Sequence, residues 1–416
     1  MNKIKITKCR FCGNNSIIPA IDLGKQYLSS IFPSNLSYRK NIKKQPLSLV
    51  LCKKNHNSCG TLQLSHSFRM SKMYEQYPFT SSTNSSMPKI LKDVLDSALK
   101  YVDLKKEDLV LDIGGNDGTL LSYLKDTNCD LLCIDPAQNV KSIFTSKKFK
   151  TVINYFSEKV YKAETKKKAK IIFSIAMFYH LYDPIGFSKE VEACLAPDGI
   201  WVIQMAYLPK MIETNMYDNI VHEHVGYYAI DNMRFIMEKV GLEIFDVSLN
   251  DVYGGSFRLF IKKKGCLKYP KSKGYIRGLK NEKKTKIYNP ITYKKFMKRI
   301  EKTRDDLLSL CKKIKSEGKS IWIYGASTKG NTILQYCGIN KKLIDAAADA
   351  NPFKYGKYII GSNIPIKKEE EMHKAKPDYL LALPYSFVDA FIKRESNLIN
   401  SGTKFIIPLP KVKIIP

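Results

Sequence analysis

Apolar residues recur along this chain in two rhythms. Between residues 85 and 262, four continuous apolar runs stand out: LVLDI (109–113), LLCID (131–135), IIFSI (171–175) and IWVIQM (200–205). Unbroken runs of that length suit strands buried on both faces. The stretches between them are long enough for helices, so the pattern predicts a parallel sheet with covering helices. APDG (196–199) is expected to turn the chain before the last run. Residues 263–290 are rich in Lys with Gly and Pro, show little periodicity, and read as a basic linker. A 3.6-residue period then returns at Phe296, Ile300, Leu307, Cys311 and Ile314, which predicts a helix. A second strand–turn–helix unit starts at SIWIY (320–324). The expected organisation is therefore a small N-terminal domain (1–70), an α/β sheet domain (71–262), the linker (263–290) and a second Rossmann-like domain (291–416).

The N-terminal domain holds four of the ten cysteines. Cys9 and Cys12 form a C-x-x-C pair, and Cys52 and Cys59 form a wider second pair. Two thiolate pairs can complete a closed tetrahedral zinc site, which points to a structural ion. His56 lies inside the second pair and is an alternative ligand. The N-terminus MNKIKITKCRFC lacks the apolar core of a secretion signal, and no run is long enough to span a membrane. A reducing cytoplasmic setting is expected, where clustered cysteines bind metal more often than they pair.

The first apolar run ends in Asp112-Ile-Gly114-Gly115-Asn116-Asp117-Gly118 and leads into a helical stretch. Glycines allow a sharp turn and close approach of a ligand to helix-end amides. The acids favour a cationic, hydroxyl-bearing ligand, and the G-x-G-x-x-G spacing of dinucleotide sites is absent. Asp135, followed by Pro136, ends the next run, where a carboxylate can accept two ribose hydroxyls. Together they predict a site for S-adenosylmethionine (SAM). His180, in FYHLYDP at the end of the next run, is placed either in that pocket or in ordinary packing.

Two of the six histidines fall in Val221-His222-Glu223-His224. A neutral imidazole steered by a carboxylate can act as general base, with zinc ligation the rival reading. If the segment is a strand, His222 and His224 share one face and Glu223 the other. Further on, Tyr324-Gly325-Ala326-Ser327-Thr328-Lys329-Gly330-Asn331 follows a strand and opens a helix. Its amides, with Ser327, Lys329 and Asn331, can receive a diphosphate, or the turn is purely structural. Asp349 and Asn351 are placed near it. The net charge of +30 fits either a phosphate-bearing partner or compositional drift in a Lys-rich chain. No basic stripe interleaved with aromatics stands out beyond the linker, so nucleic acid is not an expected partner.

The ordered set CGTLQL (59–64), YPFTSSTNSSM (77–87), VLDIGGNDGTLL (110–121), VHEHVGYY (221–228), YGGSFR (253–258) and YGASTKGNTILQYCGI (324–339) resembles three-domain SAM-dependent sugar C-methyltransferases. The resemblance implies a zinc domain, a class I SAM methyltransferase domain and a C-terminal domain that helps hold a nucleotide-diphosphate sugar. Activity is then expected at a carbon beside the keto group of a 4-keto deoxysugar, in cell-surface glycan or natural-product sugar assembly. Methylation of oxygen or nitrogen on the same scaffold is the alternative. By the resemblance, His224 is the general base, Glu223 its acidic neighbour and Tyr77 an active-site tyrosine. Tyr77, Tyr227 and Tyr228 are candidates to steady an enolate oxygen, the last two as substrate contacts. Val221 stands where relatives usually carry a tyrosine.

Overall fold

The computed structural model describes residues 3–68, 80–83, 86–138 and 149–416. The first sheet is antiparallel, in the order Gly226–Tyr227, Leu62–Leu64, Gln45–Cys52, Ile17–Gln26. Its edge strand thus comes from far along the chain: Gly226 pairs with Gln63 and Tyr227 with Leu62. A separate antiparallel pair, Lys3–Lys5 with His66–Phe68, is formed by residues far apart in sequence. The expected boundary at residue 70 lies outside the described residues.

The central sheet has seven strands in the order Leu242–Asn250, Ser256–Lys263, Leu195–Ala206, Ala169–Ile175, Leu109–Ile113, Asp130–Asp135, Lys150–Ile153. Ser256–Lys263 runs antiparallel to both of its neighbours, while the strands from Leu195–Ala206 to Lys150–Ile153 are mutually parallel. All five residues of Leu109–Ile113 are buried, as their unbroken apolar run demands. The order reverses between Leu109–Ile113 and Ala169–Ile175, and open α/β sheets bind ligands outside the carboxyl ends of strands at such a switch. APDG does not form a free turn. It is absorbed into Leu195–Ala206, whose register with its neighbour shifts between Leu195 and Ile200.

The third sheet, also of seven strands, is parallel through its middle: Ile364–Lys367, Ala346–Ala348, Ile321–Tyr324, Tyr379–Ala382 and Lys404–Ile407. The 27-residue helix Pro290–Ser316 buries Phe296, Ile300, Leu307, Cys311 and Ile314, the predicted stripe, together with Tyr293 and Thr303.

Two expectations change. The basic linker contains a helix, Lys273–Lys284, capped by the Ser272 hydroxyl accepting the Tyr275 amide. Its inward face is short, and one buried member is Glu282, which hides the apolar period. Glu282 accepts hydrogen bonds from Tyr207 Oη (3.0 Å) and from the amides of Ile230 (2.7 Å) and Asp231 (2.9 Å), tying the segment to the central domain. The segment 221–224 is a turn, closed by the His224 amide on the Val221 carbonyl at 3.2 Å, and no strand face is shared by its histidines. Among the described residues no helix is long and apolar enough to cross a membrane.

Candidate functional site: a cleft shared by three domains

The N-terminal cysteines converge. The sulfurs of Cys9, Cys12, Cys52 and Cys59 all lie within 4.8 Å of one another. Cys9 Sγ is 3.5 Å from Cys59 Sγ, and Cys12 Sγ is 3.7 Å from Cys52 Sγ. Sulfurs about 2.3 Å from a tetrahedral ion stand roughly 3.8 Å apart, so the set fits zinc. Donors surround it as a thiolate cluster requires: Gln63 Nε2 to Cys9 (3.0 Å), the Thr61 amide to Cys59 (3.4 Å) and the Cys59 amide to Cys12 (3.5 Å). His56 is exposed and outside the cluster, so four sulfurs close the site.

A cleft of about 1360 Å³ opens between this domain, the central sheet and the C-terminal domain. At its floor, Gly114 takes a left-handed φ of 71°, donating its amide to the Ile134 carbonyl at 2.9 Å. Asp112 is 3% exposed, and burial, aided by the nearby Asp135 and Asp117 charges, pushes its carboxyl up to about 8. Asp135 accepts the Asn116 amide on one oxygen and the Ala137 amide on the other, both at 2.8 Å, and burial still holds its pKa above the usual range. Neither carboxylate has a cation in salt-bridge range among the described residues. Acids so placed fit a ligand bringing positive charge and ribose hydroxyls. Asp112, Gly114, Asn116, Asp135, Pro136 and His180 all line the cleft.

Two residues of the predicted turn face elsewhere. Asp117 is fully buried: one oxygen accepts the Ser82 amide (2.8 Å) and the other the Thr119 hydroxyl (2.5 Å). Gly118, at φ 67°, is the N-cap of the following short helix, and a side chain there would strike the Phe149 ring. With Asn116 Oδ1 accepting the Ser81 amide at 2.9 Å, the turn clamps the segment that follows Tyr77 in sequence. Tyr77 itself lies outside the described residues.

His224 sits in the wall of the same cleft because the chain after it enters the edge strand of the zinc-domain sheet. Its Nδ1 is 2.8 Å from the Asn219 carbonyl. A carbonyl can only accept, so the neutral ring carries its proton on Nδ1 and leaves the Nε2 lone pair free. Burial, with His180 and Lys329 adding to it, holds His224 well below its ordinary pKa. Tyr179 packs on the ring at 4.2 Å between centroids, and His180 stands 5.4 Å away, its own pKa pushed down to about 3 by burial. Glu223 also lines the cleft, is 6% exposed, and burial raises its pKa against the opposing pull of Ser30.

The other predicted residues divide. Ser327 and Lys329 line the cleft on the C-terminal side; the Ser327 hydroxyl caps its helix by accepting the Gly330 amide at 3.0 Å. Lys329 Nζ is 3.7 Å from Asp218, which also accepts from Tyr385 Oη at 3.0 Å. Asp349 and Asn351 are in the lining too, with Asp349 accepting the Ala326 amide at 2.9 Å. Asn331 is fully buried and reaches the Ser29 carbonyl at 3.4 Å, bracing the N-terminal domain away from the cleft. His222 turns from the cleft, with Nε2 3.4 Å from the Gln45 carbonyl and its ring edge-on to Phe68; burial lowers its pKa to about 4. Tyr227 and Tyr228 lie behind His224. Tyr227 Oη donates to the Asn219 carbonyl at 3.4 Å, and Tyr228 packs between Phe11 and Phe178. Sequence reasoning missed Tyr179, Tyr182, Asp218 and Tyr385, which reach the cleft through contacts far apart in sequence.

Three family models match in succession: "Putative zinc binding domain" over residues 9–74, "Methyltransferase domain" over 84–247, and "C-methyltransferase C-terminal domain" over 251–410. The last begins just ahead of the short 3-10 helix Val252–Gly254 that precedes strand Ser256–Lys263, so it includes one strand of the central sheet. C-methyltransferase NovU of Streptomyces niveus is 27% identical over 412 residues, covering 99% of this chain and 97% of that protein. Among solved structures, a SAM-dependent methyltransferase from Clostridium acetobutylicum is 12% identical, with a TM-score of 0.34, over 42% of this chain and 92% of that one. Magnesium protoporphyrin IX methyltransferase from Synechocystis with bound SAM is also 12% identical, with a TM-score of 0.33, over 42% and 79%. With its sulfur cluster, acid-lined turn and C-terminal sheet in that order, the chain belongs to the SAM-dependent C-methyltransferases built from a zinc-binding, a methyltransferase and a C-methyltransferase C-terminal domain.

Proposed function

We propose that this enzyme methylates a carbon next to the keto group of a nucleotide-linked 4-keto deoxysugar, in cell-surface glycan or natural-product sugar assembly. One observation carries the reading: His224, neutral and with Nε2 open, faces a single cleft that also holds the Asp112–Asp135 floor and the Ser327–Lys329 helix end. The motif order resembles sugar C-methyltransferases, and a cation beside a helix N-terminus suits a diphosphate.

Asp112, Gly114, Asn116 and Asp135 would hold SAM, which would supply an electrophilic methyl group when bound. The protein's own work is to orient and deprotonate. His224 Nε2 takes the acidic proton from the carbon beside the keto group, and the resulting imidazolium keeps its Nδ1–H on the Asn219 carbonyl. Oxygen charge develops on the sugar, and a donor must meet it. Glu223, whose carboxyl burial holds above the usual range, is suited to that role, with Tyr77 as the second candidate. Tyr227 and Tyr228 are not assigned it, because neither lines the cleft. Lys329 receives the diphosphate at the price of loosening its contact with Asp218.

The test is the product of reaction with a thymidine-, uridine- or guanosine-diphosphate 4-keto-6-deoxysugar and carbon-13-methyl SAM. A new methyl bonded to ring carbon supports the proposal. A methyl on oxygen or nitrogen, or no turnover with any of the three, overturns it.

A further inference from the structure

The helix Lys273–Lys284 carries five cations, and its one acid, Glu282, is 4% exposed. Lys273, Arg277, Lys280, Lys283 and Lys284 are all exposed. None of the five has a salt bridge among the described residues, although most acids nearby do. Asp231 is held by Arg234 and Lys54, Glu238 by Arg234, and Glu243 by Lys262 and Lys271. The spacing 273, 277, 280, 284 places like charges three and four residues apart, on one side of the helix. That arrangement weakens an isolated helix by a few tenths of a kcal/mol per pair, so packing holds it in place against local repulsion. Tyr275 and Glu282 provide that packing on the opposite side.

Ile276 rides among these cations and is 59% exposed, and Leu267, in the turn leading to the helix, is 93% exposed. No aromatic side chain is exposed on this helix, where a single-stranded nucleic acid would need stacking platforms. Unpaired cations around a protruding aliphatic side chain match a surface of anionic headgroups over hydrocarbon. We infer that the Lys273–Lys284 face is a docking surface for an anionic phospholipid membrane, which it meets side-on with the Ile276 side chain entering the headgroup layer. The surface lies in the N-terminal part of the segment matched as the C-methyltransferase C-terminal domain, and none of its residues lines the catalytic cleft.

The experiment is cosedimentation of the full-length protein with vesicles of phosphatidylcholine alone or with a quarter phosphatidylglycerol, at low and at 300 mM salt. Binding is expected only with phosphatidylglycerol, and it falls steeply as salt shortens the screening length. Each cation near the surface is worth about fivefold in affinity, so the triple variant Lys273→Gln, Arg277→Gln, Lys280→Gln should bind over a hundredfold more weakly. Methyltransferase activity without vesicles should stay unchanged. Ile276→Ser should weaken vesicle binding at low salt while leaving affinity for random duplex DNA unaltered. Three outcomes overturn the inference: no phosphatidylglycerol dependence, an equal loss when Lys302, Lys312 and Lys313 are changed instead, or an Ile276→Ser variant that binds vesicles like wild type.

Discussion

If SAM binds beside Asp112 as proposed, its binding should tighten as pH rises. Its carboxyl, lifted to about 8 mainly by burial, is about nine-tenths protonated at pH 7 in the ligand-free protein. A cationic, hydroxyl-bearing ligand favours the ionised form. Binding at pH 7 must therefore expel a proton, which costs about 1.4 kcal/mol, or roughly tenfold in affinity, relative to pH 9. Calorimetric titration with SAM, with no sugar present, should show affinity tightening roughly tenfold from pH 7 to 9, with close to one proton released from Asp112 per ligand at pH 7 in buffers of differing ionisation enthalpy. In Asp112→Asn both effects vanish, while the ligand's own amine titrates alike in the two proteins and cancels in the comparison. Ligand-free stability runs the opposite way. A pKa raised on folding contributes stability that is complete below the unfolded value of 3.8 and lost as pH climbs through about 8, at about 1.4 kcal/mol per pH unit. Ligand-free wild type should thus lose ground to Asp112→Asn as pH rises. Equal pH slopes in wild type and variant would refute the reasoning.

Three further outcomes are expected. Cys52→Ser should abolish the single tightly bound zinc measured by elemental analysis and lower unfolding stability by about 4 kcal/mol, whereas His56→Ala leaves both intact. Glu282→Ala, which strips the acceptor from Tyr207 and from two backbone amides, should cost about 3–5 kcal/mol in chemical denaturation. Lys329→Met should raise KM for the nucleotide sugar about 10–100-fold while leaving adenosylhomocysteine affinity within twofold.

The central strands are legible in sequence because burial on both faces leaves long apolar runs with no polar interruption, and the helix Pro290–Ser316 because its stripe is wholly apolar or nearly so. The helix Lys273–Lys284 is not legible, since its inward face is closed by a carboxylate and its outward face looks like a charge run. The cysteine pairs read clearly, and their geometry decides against His56. The turn after Leu109–Ile113 reads as a ligand loop, but sequence alone does not tell which nearby acids face the cleft: Asp112 and, from the next strand, Asp135 do, while Asp117 holds Ser82. The histidine segment shows the limit most sharply. Its residue types announce chemistry, yet His222 and His224 diverge because the chain turns there before joining a sheet built by residues 17–64. The links from Lys329 to Asp218 and from Asp218 to Tyr385 span domains and leave no local signature.

Most of the proposed chemistry rests on one proton moving to one nitrogen. Exchange of deuterium from solvent into the carbon beside the keto group, followed by NMR with adenosylhomocysteine present and no methyl donor, isolates that step. The wild-type enzyme should wash deuterium in, and His224→Gln should do so about 10²–10⁴-fold more slowly at unchanged adenosylhomocysteine affinity. Exchange at the wild-type rate in His224→Gln would contradict the account.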